Sequence, residues 1–330
     1  MFFKINQEKF KEWLQTLKNQ GEVYIPTKEN NLWVYVPLEG QEWPAHFLNT
    51  RLPAKNLFFP NRQALLSWKC APGSMKMNSL APEGKKRFLV GLRPCDSRGL
   101  QLLKPVFGGE YADILYLKNL ERTILIGLAC PQLCPGSFCR EMQVNPQDST
   151  DNDIFLRATP EGFVAKVITE RGKVLLAQGF FSEAEANDWA AAERKMPERN
   201  DLFNLEVVKA SINSFFPQEE FWQKVSAKCL NCGICTYLCP TCHCFDICDL
   251  RTAEKGVRFR CYDSCAFANF TKMAVHNPRA EKWRRYRQRV SHKFNFFFQN
   301  FKEIACVGCG RCVNFCPVNL DLREILKAIH

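Results

Sequence analysis

Apolar positions along the first two hundred residues recur in two rhythms. Over 1–18, Ile5, Phe10, Trp13, Leu14 and Leu17 fall among Lys and Glu at the spacing of an amphipathic helix. Residues 22–26 and 32–38 read as strands, 62–68 as a short helix and 87–92 as a strand. A helix follows over 96–104 with Asp96 as its cap, then a buried strand over 123–129. Residues 162–169 alternate as a strand does, and 182–195 read as a helix capped by Ser182. Strands alternating with helices predict a mixed or parallel sheet. After the polar, Pro-containing stretch 196–201, β-branched runs thin out and the pattern turns helical. The expected division is an α/β domain over 1–212 and a mainly helical domain over 213–330.

A length of 330 residues suits two domains at roughly 150 residues each. Hydrophobic residues at 46% and charged residues at 24% are the balance of a globular chain and argue against disorder. No apolar run approaches the roughly 18 residues of a membrane span, and the N-terminal pattern is not that of a signal peptide. The expectation is a cytoplasmic protein without a transmembrane segment, whose cysteines are free thiols or metal ligands. The net charge of +11 favours acidic partners. Seven Lys or Arg fall within 279–293 against one acid, Glu281. That segment reads as a solvated helix face, as a docking face for an acidic subunit, or as a face packed against the cubanes, where its charge would raise their potentials. Nucleic acid is not expected, because aromatics are sparse there and no binding motif accompanies them.

The 18 cysteines change the picture, because they are unevenly placed: five precede residue 140, none falls within 140–228, and thirteen lie within 229–316. Cys229-x2-Cys232-x2-Cys235-x3-Cys239-Pro240 recurs as Cys306-x2-Cys309-x2-Cys312-x3-Cys316-Pro317. This is the bacterial ferredoxin run, in which three cysteines hold one cubane and the fourth holds the other. Iron–sulfur iron is soft and takes thiolate. Two-residue gaps let one loop wrap three corners of a cube, and Gly233, Gly308 and Gly310 let the backbone approach the sulfides. Zinc sites lack the C-x3-C-P tail. Two [4Fe-4S] clusters are expected: one on Cys229, Cys232, Cys235 and Cys316, the other on Cys306, Cys309, Cys312 and Cys239. The 67 positions from Cys239 to Cys306 exceed the tight repeat of a small βαβ ferredoxin and fit an α-helical ferredoxin-like arrangement with an insertion.

Cys95 and Cys130 each end a predicted strand, and Cys134 and Cys139 follow Cys130 in one loop. Parallel strands bring their C-terminal ends to one crevice. Four thiols there predict a third [4Fe-4S] cluster on Cys95, Cys130, Cys134 and Cys139. Cys70 reads as a core residue. Cys242, Cys244, Cys248, Cys261 and Cys265 remain, as a fourth metal site or as structural thiols, with His243 as a hydrogen-bonded neighbour.

Together these motifs resemble a family comprising the β subunit of cytoplasmic NAD(P)-linked [NiFe] sulfhydrogenases and the A subunit of anaerobic sulfite reductase. The matching stretches are Gly91-Leu92-Arg93-Pro94-Cys95-Asp96, Gly127-Leu128-Ala129-Cys130 with Phe138-Cys139, residues 229–246, Tyr262-Asp263-Ser264-Cys265, Asn277-Pro278-Arg279, Tyr286-Arg287-x-Arg289, His292-Lys293-Phe294 and residues 306–317. Where the family has a further cysteine this chain has Ser137, and Cys134 stands in its place. Cys248 and Cys261 are additions to the pattern.

The resemblance implies an electron-transfer subunit between a flavoprotein NAD(P)H-oxidoreductase subunit and a catalytic subunit, a [NiFe] hydrogenase or a sirohaem sulfite reductase. The residues agree: no Ser/His/Asp set, catalytic zinc motif, G-x-G-x-x-G or G-x-x-x-x-G-K-[ST] is present. The reading of another class is a catalytic iron–sulfur enzyme that uses the extra cysteines.

Overall fold

The computed structural model describes residues 1–80, 84–197 and 202–329. Part of the expected boundary stretch, 198–201, lies outside them. Among the described residues ten strands precede residue 185: β1 (Phe2–Asn6), β2 (Glu22–Glu29), β3 (Leu32–Pro37), β4 (Arg62–Ala71), β5 (Ser74–Ser79), β6 (Arg87–Leu92), β7 (Thr123–Leu128), β8 (Ile154–Ala158), β9 (Gly162–Val167) and β10 (Ser182–Ala184). A hairpin, β11 (Phe245–Arg251) and β12 (Lys255–Tyr262), lies among the later helices.

Eight strands form one sheet in the order β10-β1-β9-β8-β7-β6-β2-β3. Its centre, β8-β7-β6-β2, is parallel, and its flanks are antiparallel. β7 (TILIGL) is buried throughout, and β6 (RFLVGL) nearly so. Unbroken apolar runs of this kind belong to parallel strands covered on both faces. Because β6 and β7 are parallel neighbours, they deliver 93–95 and 129–130 side by side at one sheet edge. β1 takes Phe2–Asn6, so the N-terminal helix begins only at Gln7, with the Asn6 side chain accepting from Lys9 N at 2.9 Å. Phe10, Trp13, Leu14 and Leu17 bury one face of that helix against the sheet.

Four sequence expectations need correction. Residues 62–68 are not helical: β4 lies between β5 and β12 in a second, four-stranded antiparallel sheet, β11-β12-β4-β5. Ala-Leu-Leu favours helix locally, but pairing with a partner almost 200 residues away overrides it. Cys70 is exposed at the outer end of that strand, not in the core. Asp96 is not a cap. The helix Pro94–Phe107 starts with Pro94 in its first turn, and the Asp96 carboxylate is taken by Arg311. Residues 182–195 give a short strand and then the helix Ala186–Ala191, whose capping box is made by Glu185 and Asp188.

The later part of the chain combines short helices with the β11–β12 hairpin and long connecting loops, so the expected mainly helical domain is met only in part. Leu205–Phe215, Glu219–Ser226, Lys282–Ser291 and Leu322–Ile329 pack around Trp222, Val290, Phe294 and Leu326. This core also takes in Cys95, Phe138 and Cys139, and the four-stranded sheet joins strands from both sides of 212/213. Among the described residues no helix is long and apolar enough to cross a membrane.

Arg311 ties the two parts. Its guanidinium grips Asp96 with contacts of 2.9 and 2.7 Å and donates to Thr50 O and Asn49 Oδ1, both at 2.9 Å. Both charges are buried. Removing one partner of a buried pair leaves the other charge uncompensated. Arg311→Met should therefore cost about 3–5 kcal/mol, read as a lowered urea midpoint. The double variant Asp96→Leu/Arg311→Met should recover part of that loss. A single variant as stable as the parent would contradict the assignment.

Candidate iron–sulfur centres

The two cysteine runs fold alike. In the first, Asn231 (φ 53) and Gly233 (φ 76) are left-handed; in the second the equivalent Gly308 (φ 60) and Gly310 (φ 77) are. Two left-handed residues per run curl the backbone into a nest of N–H groups around the space the cysteines enclose. Asparagine tolerates this conformation. Gly308 could not be replaced, because a Cβ there would stand 2.2 Å from Phe138 O. The second run packs its backbone on the 136–139 loop, with Phe138 N donating to Gly308 O at 2.7 Å.

Three cavities follow. The first is lined by Cys229, Cys232, Cys235 and Cys316, with Cys312 on its far wall. The second is lined by Cys306, Cys309, Cys312 and Cys239. The third is lined by Cys95, Cys130, Cys134 and Cys139, with Cys309 on its wall. Arg289, Cys312 and Leu322 are shared by the first and second, and Cys309 by the second and third. Ser137 also lines the third, its hydroxyl donating to Cys134 O at 2.6 Å. Among the described residues no three His, Cys, Asp or Glu side chains gather around a single ion. The thiols stand around cavities, as the corners of a polynuclear cluster require.

Several sulfurs already accept hydrogen bonds: Cys229 from Asn231 N (3.4 Å), Cys316 from Leu320 N (3.3 Å), Cys95 from Asn49 Nδ2 (3.6 Å) and Cys239 from Lys293 Nζ (3.2 Å). Such contacts tune a cluster's potential. Burial pushes the Cys130, Cys306 and Cys309 thiols up to about 12, and Cys139 to about 11. Metal uptake must displace protons from these thiols.

The charges around the cavities test whether clusters fit. Arg93, Arg289 and Lys293 are all buried, and none has a carboxylate within ion-pair distance among the described residues. Lys293 sits in a π-helical turn, His292–Phe296, and spends its three donors on Cys239 Sγ, Thr241 Oγ1 and Ala305 O. Arg289 donates to Cys235 O, and its Nε has no partner. Arg93 donates to Leu128 O, Ala129 O and Phe47 O at the edge of the third cavity, and its Nε is also orphaned. A buried cation needs an anion. Thiolate-bound clusters supply one at each cavity.

The basic segment thus turns inward. Arg285, Arg289 and Lys293 recur every four residues and are buried, while Arg284 stays outside with Glu219 and Glu281. Of the three sequence readings of this segment, packing against the cysteine cavities is the one that Arg285, Arg289 and Lys293 follow.

The 4Fe-4S dicluster domain family matches residues 228–320. Over 338 aligned positions the chain is 28% identical to Sulfhydrogenase 2 subunit beta of Pyrococcus furiosus, covering 99% of this chain and 98% of that one. The chain is thus similar over its whole length to a hydrogenase β subunit and carries a 4Fe-4S dicluster domain. No solved structure matches it. The dicluster match takes in both cysteine runs and makes [4Fe-4S] clusters the resident cofactor. The third cavity draws its cysteines from outside that match, within the full-length relation to the β subunit.

The remaining cysteines separate. On the hairpin, Cys248 and Cys261 are paired at 3.7 Å. Register places Asp246 opposite Cys261, so Asp246, Cys248 and Cys261 share one face. Arg260 and Tyr262 share the other and pack on Phe59. Cys242, Cys244 and Cys265 lie beyond the ends of the hairpin, with His243 Nδ1 3.0 Å from Thr241 O.

Gly308→Ala should lower stability by about 1–2 kcal/mol from the left-handed backbone alone, and more from the clash with Phe138. Iron content should fall with it. Asn231→Gly, at the equivalent position of the first run, should keep full iron. Equal effects at the two positions would contradict the packing described.

Proposed function

We propose that the chain is the iron–sulfur electron-transfer subunit of a hydrogenase-type complex, with three [4Fe-4S] clusters in a row. The observation that carries this is the sharing of walls between successive cavities: Arg289 and Cys312 between the first and second, Cys309 between the second and third. Cys229, Cys232, Cys235 and Cys316 hold the first cluster. Cys306, Cys309, Cys312 and Cys239 hold the second. Cys95, Cys130, Cys134 and Cys139 hold the third. The crossed ligation makes 213–330 an α-helical ferredoxin-like unit beside an α/β unit over 1–212.

The clusters supply one-electron chemistry at low potential. The chain's residues do the rest. They exclude water with Phe138, Tyr286 and Leu322, fix the sulfurs with backbone N–H groups, and place Arg93, Arg289 and Lys293 where added negative charge is stabilised. Cys232 and Leu230 are exposed, which opens the first cavity toward a partner. One partner is a flavoprotein NAD(P)H-oxidoreductase subunit and the other a hydrogenase catalytic subunit, in the cytoplasm.

Cys95→Ser should lose about four irons per chain and leave the remaining cluster spectra intact. Loss of every cluster together would overturn the third assignment. Lys293→Met should shift one midpoint potential negative, since a buried positive charge favours the reduced cluster. The isolated chain should be bleached by dithionite but not by NADH, and NADH should act once the flavoprotein subunit is added. Turnover of NADH or hydrogen by the chain alone would contradict the relay.

A further inference from the structure

The four-stranded sheet β11-β12-β4-β5 contributes nothing to the walls of the three cluster cavities. Among its strand residues only Gly256 and Arg260 are buried, and β5 is exposed along its whole length. Its outer strands, β5 and β11, each pair on one side only. Arg260 and Tyr262 hold one end of the sheet on Phe59. Toward the other end both faces meet solvent. A sheet normally needs at least one apolar face covered to be stable.

Cross-strand register sorts the side chains between the two faces. Arg260 stands opposite Ile247, Gly256 opposite Trp68, Trp68 opposite Met77, and Cys70 opposite Met75. One face therefore carries an apolar stripe of Ile247, Trp68, Met77 and Met75, with the methionines 61% and 60% exposed. A Cβ on Gly256 would stand 2.2 Å from the Trp68 ring, so glycine lets the indole lie across its strand. On the other face Lys255 stands opposite Lys69, and Lys69 opposite Lys76. Like charges directly opposite one another across strands are destabilising. None of the three lysines forms an ion pair among the described residues, and the neighbouring Asp249 is taken by Arg258 at 2.7 Å. Leu250, 56% exposed, lies on this face as well.

We propose that the free end of the four-stranded sheet is an arm held by a different protein subunit. That subunit lays an apolar surface on Trp68, Met75, Met77 and Ile247 and carboxylates on Lys69, Lys76 and Lys255. The proposal rests on the relay reading in taking the subunit from the same complex. The lysine row selects its chemistry, because an acidic partner relieves the repulsion that the sheet carries alone. A second copy of the chain would bring one sheet of unpaired lysines against its like. A lipid surface would cover one face of the sheet, whereas both faces expose apolar side chains. Exposed apolar patches rimmed by polar residues mark such protein contacts. The arm lies outside the cluster ligands, so it anchors the subunit without conducting.

The test reconstitutes the full chain anaerobically with the flavoprotein and hydrogenase subunits and measures assembly by light scattering. Lys69→Glu/Lys76→Glu and Met75→Ser/Met77→Ser should each weaken assembly about tenfold. The lysine variant's loss should shrink as salt is raised. Iron content and cluster spectra should match the parent in both, which also shows that both fold. Lys11→Glu/Lys118→Glu, equally exposed elsewhere, should assemble as the parent does. A photo-crosslinking residue at position 77 should couple to another subunit. Unchanged assembly in either arm variant, with the parent assembling, would overturn this proposal and leave the relay standing. A crosslink from position 77 to a second copy of the chain would overturn it too. So would binding to phosphatidylglycerol vesicles that Met75→Ser/Met77→Ser abolishes. A parent chain that joins neither subunit would overturn the complex reading itself, and this proposal with it.

Discussion

Buried positive charge without buried carboxylate organises this molecule. Arg93, Arg289 and Lys293 sit where water cannot reach them, and the groups that face them are cysteine sulfurs. Arg311 is the contrast: it lies equally deep but has Asp96. A guanidinium held by a carboxylate is a structural tie. A cation held only by thiols and backbone carbonyls needs those thiols to carry charge, and metal binding is what keeps buried thiols ionised. The fold is therefore complete only with its clusters, and their assembly is a folding step as well as a redox one.

The same cations bear on function. An electron entering a cluster adds negative charge in a medium of low dielectric, where each fixed positive group has a large effect. The stripe of Arg285, Arg289 and Lys293 along one helix runs beside the first and second cavities. Its π-helical turn carries Lys293, whose ammonium reaches Cys239. The net charge of +11 thus understates how specifically the positive groups are placed.

The site was more legible in the sequence than the fold around it. Cysteine spacing is a local property, and two equivalent runs with their trailing prolines carry the ligand pattern without any tertiary knowledge. Cys95 and Cys130 could be paired because parallel strands deliver their C-terminal ends together, and buried parallel strands are recognisable as apolar runs. The 62–79 hairpin was not legible, since its partner β12 lies almost 200 residues away and nothing local marks strand pairing. Asp96 misled for a similar reason: an acid in a first helical turn suggests a cap, whereas a distant arginine claims it. The inward stripe of basic residues was one of three readings that the sequence left open, because charge runs are usually solvated and only the thiols opposite make burial tolerable.

The central claim is that three cluster cavities share walls and form one conducting row. Electron paramagnetic resonance of the fully reduced chain tests this most directly, because neighbouring paramagnetic clusters broaden and split one another's signals. The account predicts interacting spectra in the wild type that simplify when the middle cluster is removed by Cys306→Ala. Three independent, unbroadened signals in the fully reduced wild type would contradict it.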